Sequence, residues 1–227
     1  RGCCGGKPFV LRRPVFGMMA IFGPAISRSG LGMKKFRTPY DIQNYLNGLA
    51  YRRESGARSP PVVARTRRAN CFDGAVFAAA ALEALGFPPL IVDLVAKNDD
   101  DHVIAVYRSG GWGAVAKSNT TLLRSREPVY RSLRELVMSY FDVYFNIHGA
   151  RCLRSYSAPV NMRRFDSISW KTTERPLDEV EEWLVRIRHY PLLTRPMERT
   201  LGKAEPHLMR ACFLYSDRKG LFKAKRT

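Results

Sequence analysis

An α+β fold, with an alanine-rich helix laid on an antiparallel sheet and further helices towards the C-terminus, is what this sequence predicts. Three observations carry that reading. Asn70 to Leu85 has the start and stop signals of one buried helix. Three β-rich runs follow it, joined by turns so short that their pairing must be antiparallel. At 227 residues with 45% hydrophobic side chains, the chain holds enough apolar surface for one substantial core.

The first legible element opens at Thr38-Pro39-Tyr40-Asp41: a capping hydroxyl, a proline at the first helical position and a carboxylate at the third. Ile42, Tyr45, Leu46 and Leu49 continue it at helical spacing. Arg52 to Arg68, with Gly56, Pro60-Pro61 and six arginines, reads as a basic loop. Asn70 then caps a helix with Asp73 three residues on, an Ala-rich run to Leu85, Gly86 at the stop and Pro88-Pro89 beyond. Its small side chains let a sheet approach closely on more than one side.

Leu90 to Ala96 is a continuous apolar strand around Asp93, and Lys97 to Asp101 is a polar turn. His102 to Tyr107 is a second strand, Arg108 to Gly111 a hairpin connection, and Trp112 to Lys117 a third strand. Pro128 to Phe145 carries apolar residues at helical spacing, with Ser132 and Glu135 placed to cap. Gly149 to Phe165 has strand character, and Pro176 to Tyr190 and Leu201 to Tyr215 read as helices. Val15 to Ile26 resembles a signal-like apolar run, but two glycines and a proline interrupt it. The expected organisation is a disordered leader or non-native extension at residues 1–32, a main domain at 33–165 and a helical C-terminal extension at 166–227.

Lys and Arg number 38 against 20 Asp and Glu, a net charge of +18. Such a surface attracts acidic polymers, so weak non-specific nucleic acid binding through the basic flanks is expected, although no nucleic-acid-binding signature is present. The excess lies in the flanks, whereas Cys71 to Tyr107 has one Lys against six Asp and Glu. Five widely spaced cysteines, Cys3, Cys4, Cys71, Cys152 and Cys212, include no Cys-x-x-Cys pair. Neither a disulfide framework nor a metal site is indicated, a cytoplasmic setting fits, and no cofactor is implied. Every later apolar run is broken well before the length of a membrane span. The oligomeric state is left open.

Cys71 stands in the first turn of the Ala-rich helix, where the helix dipole favours a thiolate. His102, 31 positions on, opens the strand that one helix, one strand and a turn return beside it, within reach as a general base. Asn70-Cys71-Phe72-Asp73-Gly74-Ala75, Gly86-Phe87-Pro88-Pro89, Asp101-His102-Val103-Ile104-Ala105-Val106 and the Gly-Gly-Trp hairpin resemble the core of the transglutaminase-like superfamily, a branch of the papain-like cysteine fold. The resemblance is clear over residues 70–119. It implies Cys71 as nucleophile, His102 as base, amide or acyl-transfer chemistry and a protein or peptide substrate.

One departure stands out. The family's third residue, an Asp that orients the His, falls where this chain has Ala116-Lys117-Ser118-Asn119. Ser118, on the strand face of Ala116, and Asn119, with a carbonyl acceptor, are the candidates for that role, and Asp93 is the next. Two readings therefore stay open: a thiol-dependent amide hydrolase or acyltransferase, and a catalytically inactive peptide-binding module on the same fold.

Overall fold

The computed structural model describes residues 36–225, so the leader expected at residues 1–32 lies outside the described residues. In chain order the elements are α1 (Pro39–Asn47), β1 (Ala50–Tyr51), α2 (Pro60–Thr66), β2 (Arg68–Ala69), α3 (Cys71–Ala84), β3 (Leu90–Ala96), β4 (His102–Ser109), β5 (Gly111–Val115), β6 (Arg126–Tyr130), α4 (Leu133–Phe141), β7 (Leu153–Ser157), β8 (Val160–Asn161), α5 (Asp178–Arg186), β9 (His189–Pro191), α6 (Arg195–Arg199) and α7 (Pro206–Phe213). This is the expected α+β architecture. The main sheet runs β6-β5-β4-β3-β7-β9, with β8 also on β3, and every pairing in it is antiparallel. β1 and β2 form a separate parallel pair.

Local chemistry explains the best-predicted elements. Thr38 and Asp41 close a capping box on α1, and Asn70 and Asp73 close another on α3. At the far end of α3, Gly86 takes a φ of +92°, which only glycine adopts without strain. The Gly86 and Phe87 N–H groups then reach back to the carbonyls of Glu83 and Leu82, ending the helix in a Schellman motif.

The sheet separates two cores. On one face Ile91, Val103, Ala105 and Tyr107 meet α3 through Ala75, Val76, Phe77 and Ala78. On the other, Val92, Leu94, Ile104, Val106, Ala114 and Ala116 meet Leu136, Val137 and Tyr140 of α4. Residues beyond 165 share these layers. β9 pairs with β7, and Trp170, Leu177, Val180 and Leu184 lie in the cluster that holds the Ala75 side of α3, so the boundary at 165 divides neither sheet nor core.

Several expected boundaries move. The segment Arg52–Arg68, expected to be a loop, contains α2, because Pro60 and Pro61 sit in the first helical turn, where their missing N–H costs nothing. The helix expected from Pro128 begins only after the Ser132 cap, and Arg126–Tyr130 is instead a strand at the sheet edge, where a proline is tolerated. The helix expected over Pro176–Tyr190 stops at Arg186, and His189–Pro191 becomes β9. The last helix is confined to Pro206–Phe213, with Glu205 as its cap.

Candidate active site

α3 and β4 bring their first residues to one end of the sheet. There Cys71, His102, Ser118 and Asn119 all line one pocket, a cavity of about 60 Å³, together with Tyr51, Tyr144 and the turn Asp99–Asp101. That volume holds a few waters and no peptide. Phe213, Gly220, Leu221 and Phe222 complete its wall.

Cys71 opens α3, and its thiol lies 3.7 Å from the Asp101 carbonyl, to which it donates. The expectation of a thiolate fails in this closed arrangement. Although part of the residue reaches the surface, the protein crowded around sulfur withdraws solvent and pushes the thiol pKa up to about 11. The N–H groups of Val103 and Phe72 pull the other way, and the charges of Asp100 and Asp93 add to the rise. Burial therefore outweighs the pull of the helix terminus.

His102 is 4% exposed, and its ring stands edge-on to Tyr140 and Tyr144. Its Nε2 lies 2.8 Å from the Leu123 carbonyl. A carbonyl only accepts, so Nε2 carries the hydrogen, and in the neutral ring Nδ1 keeps the lone pair. Burial brings the His102 pKa down to about 4, with the Leu123 carbonyl opposing and Arg126 assisting. No hydrogen bond joins Cys71 to His102.

The orienting role falls to Leu123, not to the residues expected. Ser118 turns to Thr120, accepting its backbone N–H at 3.1 Å. Asn119 is committed to Asp217, donating to its carbonyl and accepting its N–H, each at 2.9 Å. Ala116 is fully buried on the His102 face, and Lys117 sends its ammonium to the carbonyls of Leu46 and Leu49. Asp93, the next candidate, lies 3.2 Å from His189 across β7. Burial first, then the charge of Asp101, pushes the Asp93 pKa up to about 6 against the pull of His189. Leu123 was invisible to sequence reasoning, since every residue has a carbonyl. The wall from the C-terminal segment carried no signal either, beyond its basic charge.

The buried imidazole makes stability depend on pH. Its pKa is depressed in the folded chain, so the unfolded chain takes up the proton first as pH falls through 6.5. Stability is thus lost between about pH 6.5 and pH 4, by roughly 3 kcal/mol for this group. Buried Asp93 and half-buried Asp99, each pushed up to about 6, act with the opposite sign. His102→Gln keeps a donor for Leu123 and those carboxylates but has no proton to gain. Urea unfolding is expected to show the wild type losing stability relative to this variant across that window, and a constant difference would overturn the assignment.

Among the described residues no helix is long and apolar enough to cross a membrane, and no group of His, Cys, Asp and Glu is placed to hold a metal ion. The chain matches no family model, and no curated protein matches it.

Proposed function

We propose that this protein is a thiol-dependent amide hydrolase or acyltransferase in which Cys71 attacks a carboxamide or peptide carbonyl and His102 carries the proton. One observation supports it above the rest: Cys71 at the start of α3 and His102 at the start of β4 line one pocket, with the His102 hydrogen fixed on Nε2 and the Nδ1 lone pair left free. In the reaction the thiol proton passes to His102, sulfur bonds to the carbonyl carbon, and the proton leaves with the amine. Water or a second amine then releases the acyl group. The resemblance to the transglutaminase-like superfamily is what points to protein or peptide substrates. Three free cysteines among the described residues, Cys71, Cys152 and Cys212, accord with a reducing, cytoplasmic setting.

The inactive peptide-binding module stays the second reading because of two specific features. Ala116 stands where the resemblance calls for an acid, and in the closed pocket thiol and imidazole are both uncharged near neutral pH. Each pK unit between them costs about 1.4 kcal/mol, so proton transfer is strongly uphill while the pocket stays closed.

An electrophilic amide probe with site mapping separates the two. For an enzyme, Cys71 is labelled ahead of Cys152 and Cys212, His102→Ala slows that labelling at least about tenfold, and Cys71→Ser folds but does not turn over substrate. Equal, slow labelling of all three cysteines supports the binding module, and undiminished turnover in Cys71→Ser rules out the mechanism.

A further inference from the structure

Residues 217–225 cross the mouth of the pocket as a short 3-10 turn, Arg218–Gly220, followed by irregular chain, and are held at both ends by side-chain amides. At one end Asn119 grips both backbone groups of Asp217. At the other, the Asn98 amide donates to the Lys225 carbonyl at 2.7 Å and accepts the Lys225 N–H at 2.9 Å. Between them His148 Nε2 bonds the Ala224 carbonyl at 3.2 Å, and Gly220, Leu221 and Phe222 form pocket wall. A Cβ on Gly220 would lie 3.0 Å from Arg53 Cγ and 3.2 Å from Tyr51 Cδ1, so the segment is closely seated.

This hold has an unusual composition. The backbone–backbone hydrogen bonds of the segment, Gly220 to Asp217, Leu221 to Arg218 and Ala224 to Phe222, all stay within it, and it joins no sheet. Both clasps read N–H and C=O groups, which every peptide residue except proline offers. The segment carries Arg218, Lys219, Lys223 and Lys225, none of which makes an ion pair with a described residue. Facing it is the Asp99–Asp101 turn, half-buried at Asp99 and exposed at Asp100 and Asp101, whose carboxyl pKa values are all raised, chiefly because nearby protein displaces solvent.

We propose that the groove from Asn119 past Cys71 to Asn98 is a binding site for a peptide rich in Lys or Arg, and that residues 217–225 occupy it as an autoinhibitory strap. The proposal rests on the reading of Cys71 as the reactive thiol. Backbone clasps accept any residue that offers both an N–H and a C=O, and the acidic turn selects a basic chain. Reactivity of the whole chain is then scaled down by the fraction of time the strap is open.

The test uses the full-length chain with Asn98→Gly and Gly220→Val together. Asn98 has a φ of +59°, so glycine keeps the backbone and removes only the clasp, while the side chain added by Gly220→Val presses on Tyr51, Arg53 and the Asn119 amide, which must give way. Iodoacetamide is expected to alkylate Cys71 up to about tenfold faster in this variant, as for a strap shut roughly nine-tenths of the time. A synthetic peptide of sequence 217–225 should slow it again, and a Glu-for-Lys/Arg version should not. Unchanged alkylation overturns the strap, and equal protection by both peptides overturns the basic preference. If the variant does not fold, amide exchange in the unsubstituted chain decides: alkylation of Cys71 faster than exchange at Asp217 and Lys225 overturns the gating. Adding His102→Ala to the open variant separates the two ideas. Faster alkylation that does not depend on His102 keeps the strap and removes the catalytic pair.

Discussion

Replacing Asp73 by alanine is expected to destabilise the fold by about 3–5 kcal/mol, because it leaves a buried guanidinium without its counter-charge. Arg52 is 1% exposed and Asp73 fully buried, and they meet at 2.6 and 3.1 Å. The remaining Arg52 donors are taken by the carbonyls of Glu54, Ser55 and Gly56. The same carboxylate accepts the N–H of Arg58 at 2.8 Å and of Asn70 at 3.2 Å. One side chain thus caps α3, pins the preceding loop and neutralises the arginine. Urea unfolding measures the loss. Changing Arg52 and Asp73 together to methionine should cost less than Asp73→Ala alone, since no lone charge is left behind. A loss under about 1 kcal/mol for Asp73→Ala would show that water reaches the arginine.

Gly74→Ala is expected to destabilise by roughly 2–3 kcal/mol, although alanine in place of glycine inside a helix ordinarily gains up to about 1 kcal/mol. A Cβ at position 74 would lie 2.3 Å from the Lys117 Cβ and 3.3 Å from its backbone nitrogen. Neither atom is the free end of a side chain, so the helix and the segment after β5 must part. The shift is felt one turn earlier, at Cys71, and the variant should also change the alkylation rate of that thiol. A thermal midpoint equal to or above the wild type would mean that the two elements separate without cost.

The sequence was informative where structure is local. Asn70, Asp73 and Gly86 mark the ends of α3 because caps are written in the residues that make them, and the same holds for Thr38 and Asp41 on α1. The run of β3, turn, β4 and hairpin followed from apolar periodicity, and it placed Cys71 and His102 at one pocket. What escaped depends on partners distant in sequence. β9 is three residues whose strand character comes from β7, and β6 contains a proline that only an edge position excuses. The orienting acceptor escaped because it is the Leu123 backbone, and the thiol's protonation state escaped because burial is a property of the folded chain.

The order of strands in the main sheet also bears on how the chain is made. From β3 to β6 each strand pairs with its successor in sequence, so residues 71–130, α3 included, close only short loops as they leave the ribosome. The apolar face shared by Ala75, Val76, Ile91 and Val103 is different: Trp170, Leu177, Val180 and Leu184 cover it, and they are synthesised some forty to fifty residues after β6. During that interval a nascent chain with a formed hairpin sheet displays an uncovered hydrophobic surface, the condition under which growing chains adhere to one another. The stretch of translation between β6 and α5 is therefore the interval in which that face stays bare, an exposure set by the order of synthesis and absent from the finished fold.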